Sequence, residues 1–227
     1  HLGVAFDPSG PTFRDEAFAD YKAQREKTPE DIKLSVPIIK QVLEAMNIPI
    51  LEVKGYEADD VIGTLATQAS HFDMETYMLT PDKDYGQLVK ENVFIYRPRH
   101  GGGYEILGVE QIKEKYQIES PSQVIDILAL MGDSADNFPG CPGVGEKTAI
   151  KLINDFKSIN NLLENTNQLK GKLKEKVESA VDDIKMSNFL ATIKTDVPIE
   201  LNLTDLQLTP PNEEKLRALF DELEFRT

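Results

Sequence analysis

The chain has 227 residues, one cysteine, 40% hydrophobic and 28% charged residues, and a formal net charge of −14. That size allows one large domain or two small ones with a proper core; the single cysteine excludes a disulfide framework and points to a reducing compartment; and no apolar run is long enough to span a bilayer. The acidic total argues against a general nucleic-acid-coating protein, although acids that hold metal ions count in the formal charge while being neutralised at work.

In chain order, His1–Asp7 (HLGVAFD) has neither the basic start nor the length of a signal peptide. Its apolar run at 4–6 reads as a buried parallel strand. Domains rarely begin inside a central strand, so the chain is expected to be a fragment whose earlier strands are missing. Residues 11–33 follow with many charges and no core face, which suggests a mobile, helix-prone insertion. A helix is expected over Pro37–Met46 and a strand over 48–53. Ile62, Leu65, Ala66 and Ala69 fall at helical spacing and predict a helix over Asp59–Ser70. Strands are expected at 76–79 and 93–96, and 97–107 reads as a loop and hairpin with Gly101–Gly103 at its tip. Strands separated by helices predict an α/β fold with a parallel sheet.

Residues 110–200 read as all-helical. Val124, Ile127, Leu128 and Met131 mark one face, Thr148–Phe156 a second helix, and the Lys-rich Leu169–Ile184 a third. A connection at 201–212 leads to an amphipathic helix, Glu213–Phe225, with Leu216, Leu219, Phe220 and Leu223 on one side. The expected division is a catalytic α/β region, 1–110, with an arch at about 11–33, and a helical region, 111–227, with a helix-hairpin-helix at about 122–156.

Acids gather where strands end. Asp7 closes the first run, Glu57, Asp59 and Asp60 (GYEADD) follow the second, and Asp82 and Asp84 (TPDKD) the third. Ligands of open parallel sheets bind beyond the carboxyl ends of the strands, and Asp133 and Asp136 can join from the helical region. Each motif also has a plain reading: EADD as a helix cap, TPDKD as a turn, a lone Asp after a strand as a turn residue. Convergence favours a cation site, because crowded carboxylates repel unless neutralised. Oxygen ligands without a His or Cys cluster favour Mg2+ or Mn2+ over Zn2+, and two-metal phosphoryl chemistry needs such a basin.

In PGCPGVGEKTA, Gly140, Gly143 and Gly145 permit close backbone approach before a helix start, and Lys147 and Lys151 add charge. The plain reading is a helix–helix turn; the fuller pattern is a hairpin that grips a DNA backbone without reading sequence. In the insertion, Arg14, Lys22, Arg25 and Lys27 accompany Phe13, Phe18 and Tyr21. They form either a solvated loop or a basic gate that steers a phosphodiester and stacks on bases.

FDPSGPTFRDEAFADYKAQR, GYEADD, TPDKD and GDSADNFPGCPGVGEKTA, in that order, resemble the 5′-nuclease domain of bacterial DNA polymerase I. This is the family of structure-specific 5′-3′ exonucleases and flap endonucleases, and the resemblance covers essentially the whole chain. It implies a PIN-like parallel sheet flanked by helices, a helical arch and a helix-three-turn-helix element. It places Asp7, Glu57, Asp59 and Asp60 around a first metal and Asp82, Asp84, Asp133 and Asp136 around a second. Lys22 and Arg25 match the catalytic basic positions of the arch. Arg14, Lys22, Arg25, Gly140, Gly143, Val144, Gly145, Lys147 and Thr148 fall on the implied DNA contacts. Two or more Mg2+ or Mn2+ ions, and K+ at the hairpin, are the implied cofactors. The implied substrates are DNA 5′ flaps, nicks and RNA primers, in replication and repair. The implied setting is the bacterial cytoplasm at the nucleoid, with a polymerase region following Thr227 in the same longer chain and no membrane. Family members begin with a further Asp-bearing strand that this chain does not have. Three rivals remain: a non-catalytic DNA-binding module, a Mg2+-dependent phosphatase of small phosphoesters, and a structural protein whose acids only cap helices.

Overall fold

The computed structural model describes residues 1–225. Two short parallel strands open the fold, β1 (Val4–Ala5) and β2 (Ile50–Leu51), with Val4 opposite Ile50. Between them lie α1 (Phe13–Ala17) and α2 (Glu30–Ala45). The latter begins seven residues before the expected start because Pro37 sits inside it rather than at its first turn. An internal proline forfeits one backbone hydrogen bond, which an exposed helix tolerates: only Ala45 of α2 is buried.

After β2 come α3 (Ala58–Ala69), β3 (Thr76–Leu79), a 3-10 turn over Lys83–Leu88, β4 (Val93–Pro98) and β5 (Tyr104–Leu107). β3 and β4 pair in parallel, while β4 and β5 form the expected hairpin and are antiparallel. The expected parallel pairing is present, in two ladders among the described residues, β1–β2 and β3–β4–β5, with none joining β1 to β3. The expected strand at 48–53 is confined to Ile50–Leu51, since only β1 offers it a partner.

The rest of the chain is helical: α4 (Val109–Tyr116), α5 (Val124–Met131), α6 (Glu146–Phe156), α7 (Ile159–Glu164), α8 (Gly171–Ser179), α9 (Val181–Ala191) and α10 (Glu213–Glu222). The expected single helix over Leu169–Ile184 is two, separated at Ala180, whose N–H closes α8 on Lys176 and Val177. α5 is the hub. Val124, Ile127, Leu128 and Leu130 are almost wholly buried, and α5 packs against α6 and α9. Burying side chains of this size contributes on the order of 2 kcal/mol each before entropy is counted.

The segment 193–201 is strapped across α3 by side chains of that helix. Thr64 Oγ1 accepts from Val197 N at 3.1 Å and Gln68 Oε1 from Leu201 N at 2.7 Å. The strap holds α3, and with it the acids at the amino end of α3, against the helical region.

Candidate active site

The amino end of α3 is capped by an acid of its own first turn. Glu57 is the N-cap, and its N–H donates to Asp60 Oδ2 at 3.0 Å. Asp7, past the end of β1, accepts from Ala58 N at 2.8 Å and so fastens β1 to the same helix start. Carboxylates are favoured here because the first N–H groups of a helix lack partners and carry partial positive charge.

Asp60 is fully engaged. It is 0% exposed and accepts from Arg14 Nη1 and Nη2 at 2.7 and 2.8 Å, from Glu57 N, and from Lys194 N at 2.8 Å. This corrects two expectations. Asp60 has no oxygen face open to a metal, so here the capping reading holds. Arg14 is 2% exposed, so it is not on a DNA-facing surface. The view of residues 11–33 as lacking a core face is corrected with it. Tyr21 is 5% exposed and belongs to the main core, and Phe13 packs edge-on to Phe189 with ring centroids 5.7 Å apart. Sequence reading missed this because the apolar partners lie far away in the chain.

Residues 20–25 dock on the loop after α5. Lys22 N donates to Asp136 O at 2.9 Å, Asn137 Nδ2 to Asp20 O at 2.7 Å, and Gln24 Nε2 to Ser134 O. Lys22 Nζ meets Glu57 Oε1 at 2.6 Å, and Arg25 pairs with Asp136. The structure therefore brings Lys22 and Arg25 to the acids.

Asp59 accepts from Tyr85 Oη at 2.6 Å. Burial pushes its carboxyl up to about 6, against the pull of that hydrogen bond. Asp82 caps the 3-10 turn by accepting from Asp84 N at 2.9 Å. Asp84 is the exposed nerve of the arrangement: its Oδ1 is buried with no hydrogen-bond partner among the described residues. Burial first, then Asp82, Asp133 and Asp136, drive its carboxyl up to about 7, with Lys83 opposing. For Asp133, burial acts upward but is outweighed by Lys83, whose Nζ lies 2.6 Å away, and by the Ala135 N–H, so its carboxyl lies below the usual range. Sequence reading singled out neither Lys83 nor Tyr85; the Lys between two acids in TPDKD was the available signal.

Glu57, Asp59, Asp84 and Asp136 line one cavity of about 10 Å3, with Arg14 and Tyr21 also in its wall. That volume suits one water-sized species. A buried, unpartnered carboxylate oxygen facing other acids fits a hard cation. Among the described residues no three acids stand in a metal-holding group as they are; Lys22, Arg25 and Lys83 lie on Glu57, Asp136 and Asp133 instead.

The hairpin between α5 and α6 is set by its glycines. Gly140 has φ +60, and a Cβ there would lie 2.6 Å from Met131 C. Its N–H donates to Ser187 Oγ at 2.8 Å. Val144 is buried, and its N–H donates to Cys141 O at 2.9 Å. The expected DNA contacts of Gly140 and Val144 are corrected accordingly: both are structural, with their N–H groups already taken. Gly143, Gly145 and Lys147 are exposed and Thr148 half-buried. Gly145 starts α6 without a side-chain cap, which leaves first-turn N–H groups facing outward.

Two family models match the chain: "5′-3′ exonuclease, N-terminal resolvase-like domain" over residues 1–117, and "5′-3′ exonuclease, C-terminal SAM fold" over 119–214. The chain belongs to the 5′-3′ exonuclease family. DNA polymerase I of Bacillus subtilis is 44% identical over 229 residues, covering 100% of this chain and 26% of that protein. The chain thus spans about a quarter of the length of such polymerase relatives. A 5′-3′ exonuclease of Aquifex aeolicus is 39% identical, covering 100% of this chain and 76% of that one. Among solved structures, a bacteriophage T5 flap endonuclease in a pseudo-enzyme-product complex with DNA and metal ions superposes with a TM-score of 0.72. It is 18% identical, and the match covers 97% of this chain and 83% of that one. This is a likeness of fold. No helix among the described residues is long and apolar enough to cross a membrane.

Proposed function

We propose that the chain is the 5′-nuclease part of a bacterial DNA polymerase I, hydrolysing phosphodiesters at 5′ flaps, nicks and RNA primers with Mg2+ or Mn2+. What carries the reading is the unpartnered Oδ1 of Asp84 in a cavity shared with Glu57, Asp59 and Asp136. Asp7, Glu57 and Asp59 would hold one ion and Asp82, Asp84, Asp133 and Asp136 another; Asp60 is not among the ligands. When bound, such ions lower the pKa of a water and neutralise charge developing on the phosphate.

The chain's own residues supply the rest. Lys22 and Arg25 sit at the rim of the basin, where they bind and orient the scissile phosphate and offset its charge. Tyr85 donates to Asp59 and fixes that carboxylate's orientation. The exposed backbone at Gly143 and Gly145, with Lys147 and Thr148, grips duplex phosphates. Asp133 and Asp136 lie on the loop that runs into this hairpin, so cutting occurs at a set distance from the grip. K+ at the hairpin belongs to the same reading.

The ion pairs of Lys22, Arg25 and Lys83 on the acids favour a second reading, a DNA-binding module whose basin is idle. The test is a 5′-labelled flap duplex incubated with the chain, with Mg2+ or with EDTA, and read on a denaturing gel. Metal-dependent cuts near the junction support the nuclease. Salt-sensitive duplex binding with no cut product supports the module.

A further inference from the structure

We propose that Arg14 is a positioning residue of this basin: it holds Glu57 in place and locks the floor of the site to the carboxyl end of α9. The inference rests on the nuclease reading above and adds a residue whose N–H groups all go to protein acceptors.

All the directions in which a guanidinium donates are used. Nε donates to Leu190 O at 2.9 Å. Nη1 donates to Asp60 Oδ2 at 2.7 Å and to Glu57 Oε2 at 3.4 Å. Nη2 donates to Asp60 Oδ1 at 2.8 Å and to Thr192 O at 2.7 Å. Leu190 is in the last turn of α9 and Thr192 is its C-cap. Carbonyls at a helix carboxyl end carry partial negative charge, which a cation complements.

A buried ion pair is weak evidence of stability, since a well-packed apolar pair of the same volume is often as stable. Its contribution here is geometric. Glu57 Oε2 is approached by Arg14 and by Tyr21 Oη at 3.2 Å, and Oε1 by Lys22 at 2.6 Å. Of these three, Lys22 is 23% exposed at the side chain and carries the proposed phosphate contact, so it has to leave Glu57 in the working state. Arg14 and Tyr21 are the holders that stay, and of the two Arg14 alone reaches on to α9. It is also the root of the segment that carries Lys22 and Arg25, and α9 packs on α5, which leads into Asp133 and Asp136. One fork therefore ties together the basic segment, the first set of acids and the element that presents the second. A lysine cannot reproduce that planar, multiply bonded geometry.

The experiment is a Mn2+ titration of the full chain, followed by electron paramagnetic resonance and calorimetry, on the unsubstituted protein, Arg14→Lys, Glu57→Gln and the double variant. Arg14→Lys is expected to weaken Mn2+ binding about tenfold, the usual cost of losing a group that orients a metal ligand. In the Glu57→Gln background the same change is expected to alter affinity by less than about twofold, because the two effects run through one contact. Equal losses in both backgrounds would mean general damage and overturn the proposal, as would unchanged affinity in Arg14→Lys. If Arg14→Lys does not fold, the charge-free pair Arg14→Met with Asp60→Leu replaces it; Mn2+ binding at the unsubstituted level in that folded variant overturns the proposal, and weakened binding upholds it. An unsubstituted chain that binds Mn2+ but leaves the flap uncut counts against the nuclease reading alone. One that binds no Mn2+ overturns both.

Discussion

Replacing Asp84 by asparagine is expected to stabilise the metal-free chain near neutral pH while abolishing cleavage. The carboxyl titrates near 7 in the fold against a reference of 3.8, with burial as the main cause. Between those values the folded chain keeps a proton that the unfolded chain has released. The stability attached to this group is therefore complete below about pH 4 and is lost as pH rises to about 7. The ceiling on that loss is about 4 kcal/mol. Water reaching this half-buried residue screens part of it, so about 2 kcal/mol is expected at pH 8. Asn carries no charge to desolvate and keeps the shape, so Asp84→Asn should recover that amount in EDTA.

Urea unfolding of both chains across about pH 4 to 8, in EDTA, measures the difference. The two curves should meet near pH 4 and separate steadily above it, with Asp84→Asn the more stable. A variant that is less stable at about pH 8, or a gap that does not depend on pH, refutes the account of Asp84 as a charge held at a cost for function. Normal turnover in Asp84→Asn removes it from the catalytic set.

Lys22→Ala should lower flap cleavage by about 100-fold, the usual cost of losing one donor at the reacting charge, while leaving duplex binding at the hairpin intact by fluorescence anisotropy. Gly140→Ala should cost about 3 kcal/mol or more, because a positive φ is combined with backbone overlap against Met131 and Gly132; a melting temperature equal to that of the unsubstituted chain would sink this. Lys147→Ala should reduce the slope of log affinity against log salt for duplex DNA by about 0.9, one phosphate's share; an unchanged slope would remove Lys147 from the grip.

Much of the fold was readable because its signals are local. The face Ile62, Leu65, Ala66 and Ala69 marks α3 correctly to within a residue at each end, and the glycines at 101–103 mark the β4–β5 turn. The failures are tertiary. Nothing in KGKLKEKVESAVDDIK announces a break at Ala180, since the pattern stays helix-compatible on both sides and the stop is a packing decision. Alternation of strands and helices predicts parallel pairing, which β1–β2 and β3–β4 have, but it does not say which strands are neighbours. Residues 11–33 were read as coreless because their burial depends on Phe189, Leu190 and Thr192, far along the chain.

At the site, residue types were legible and their division of labour was not. Glu57 and Asp60 are three residues apart, and sequence left capping and ligation as alternatives for the pair. The structure shows that two acids at one helix start need not be treated alike: Asp60 caps and Glu57 does not. Asp60 turns inward and is saturated by Arg14, Glu57 N and Lys194 N, while Glu57 Oε1 accepts only from the half-buried Lys22. Capping supplies the rigidity that a ligand at the same helix start requires, so the plain and the functional readings are complementary. The same holds for the hairpin. Gly140 and Val144 give up their N–H groups to Ser187 and Cys141, and that internal bonding is what leaves Gly143 and Gly145 at the surface in a defined shape. A motif in which every residue bound DNA would have nothing to hold Gly143 and Gly145 in register with Asp133 and Asp136, seven to twelve residues earlier.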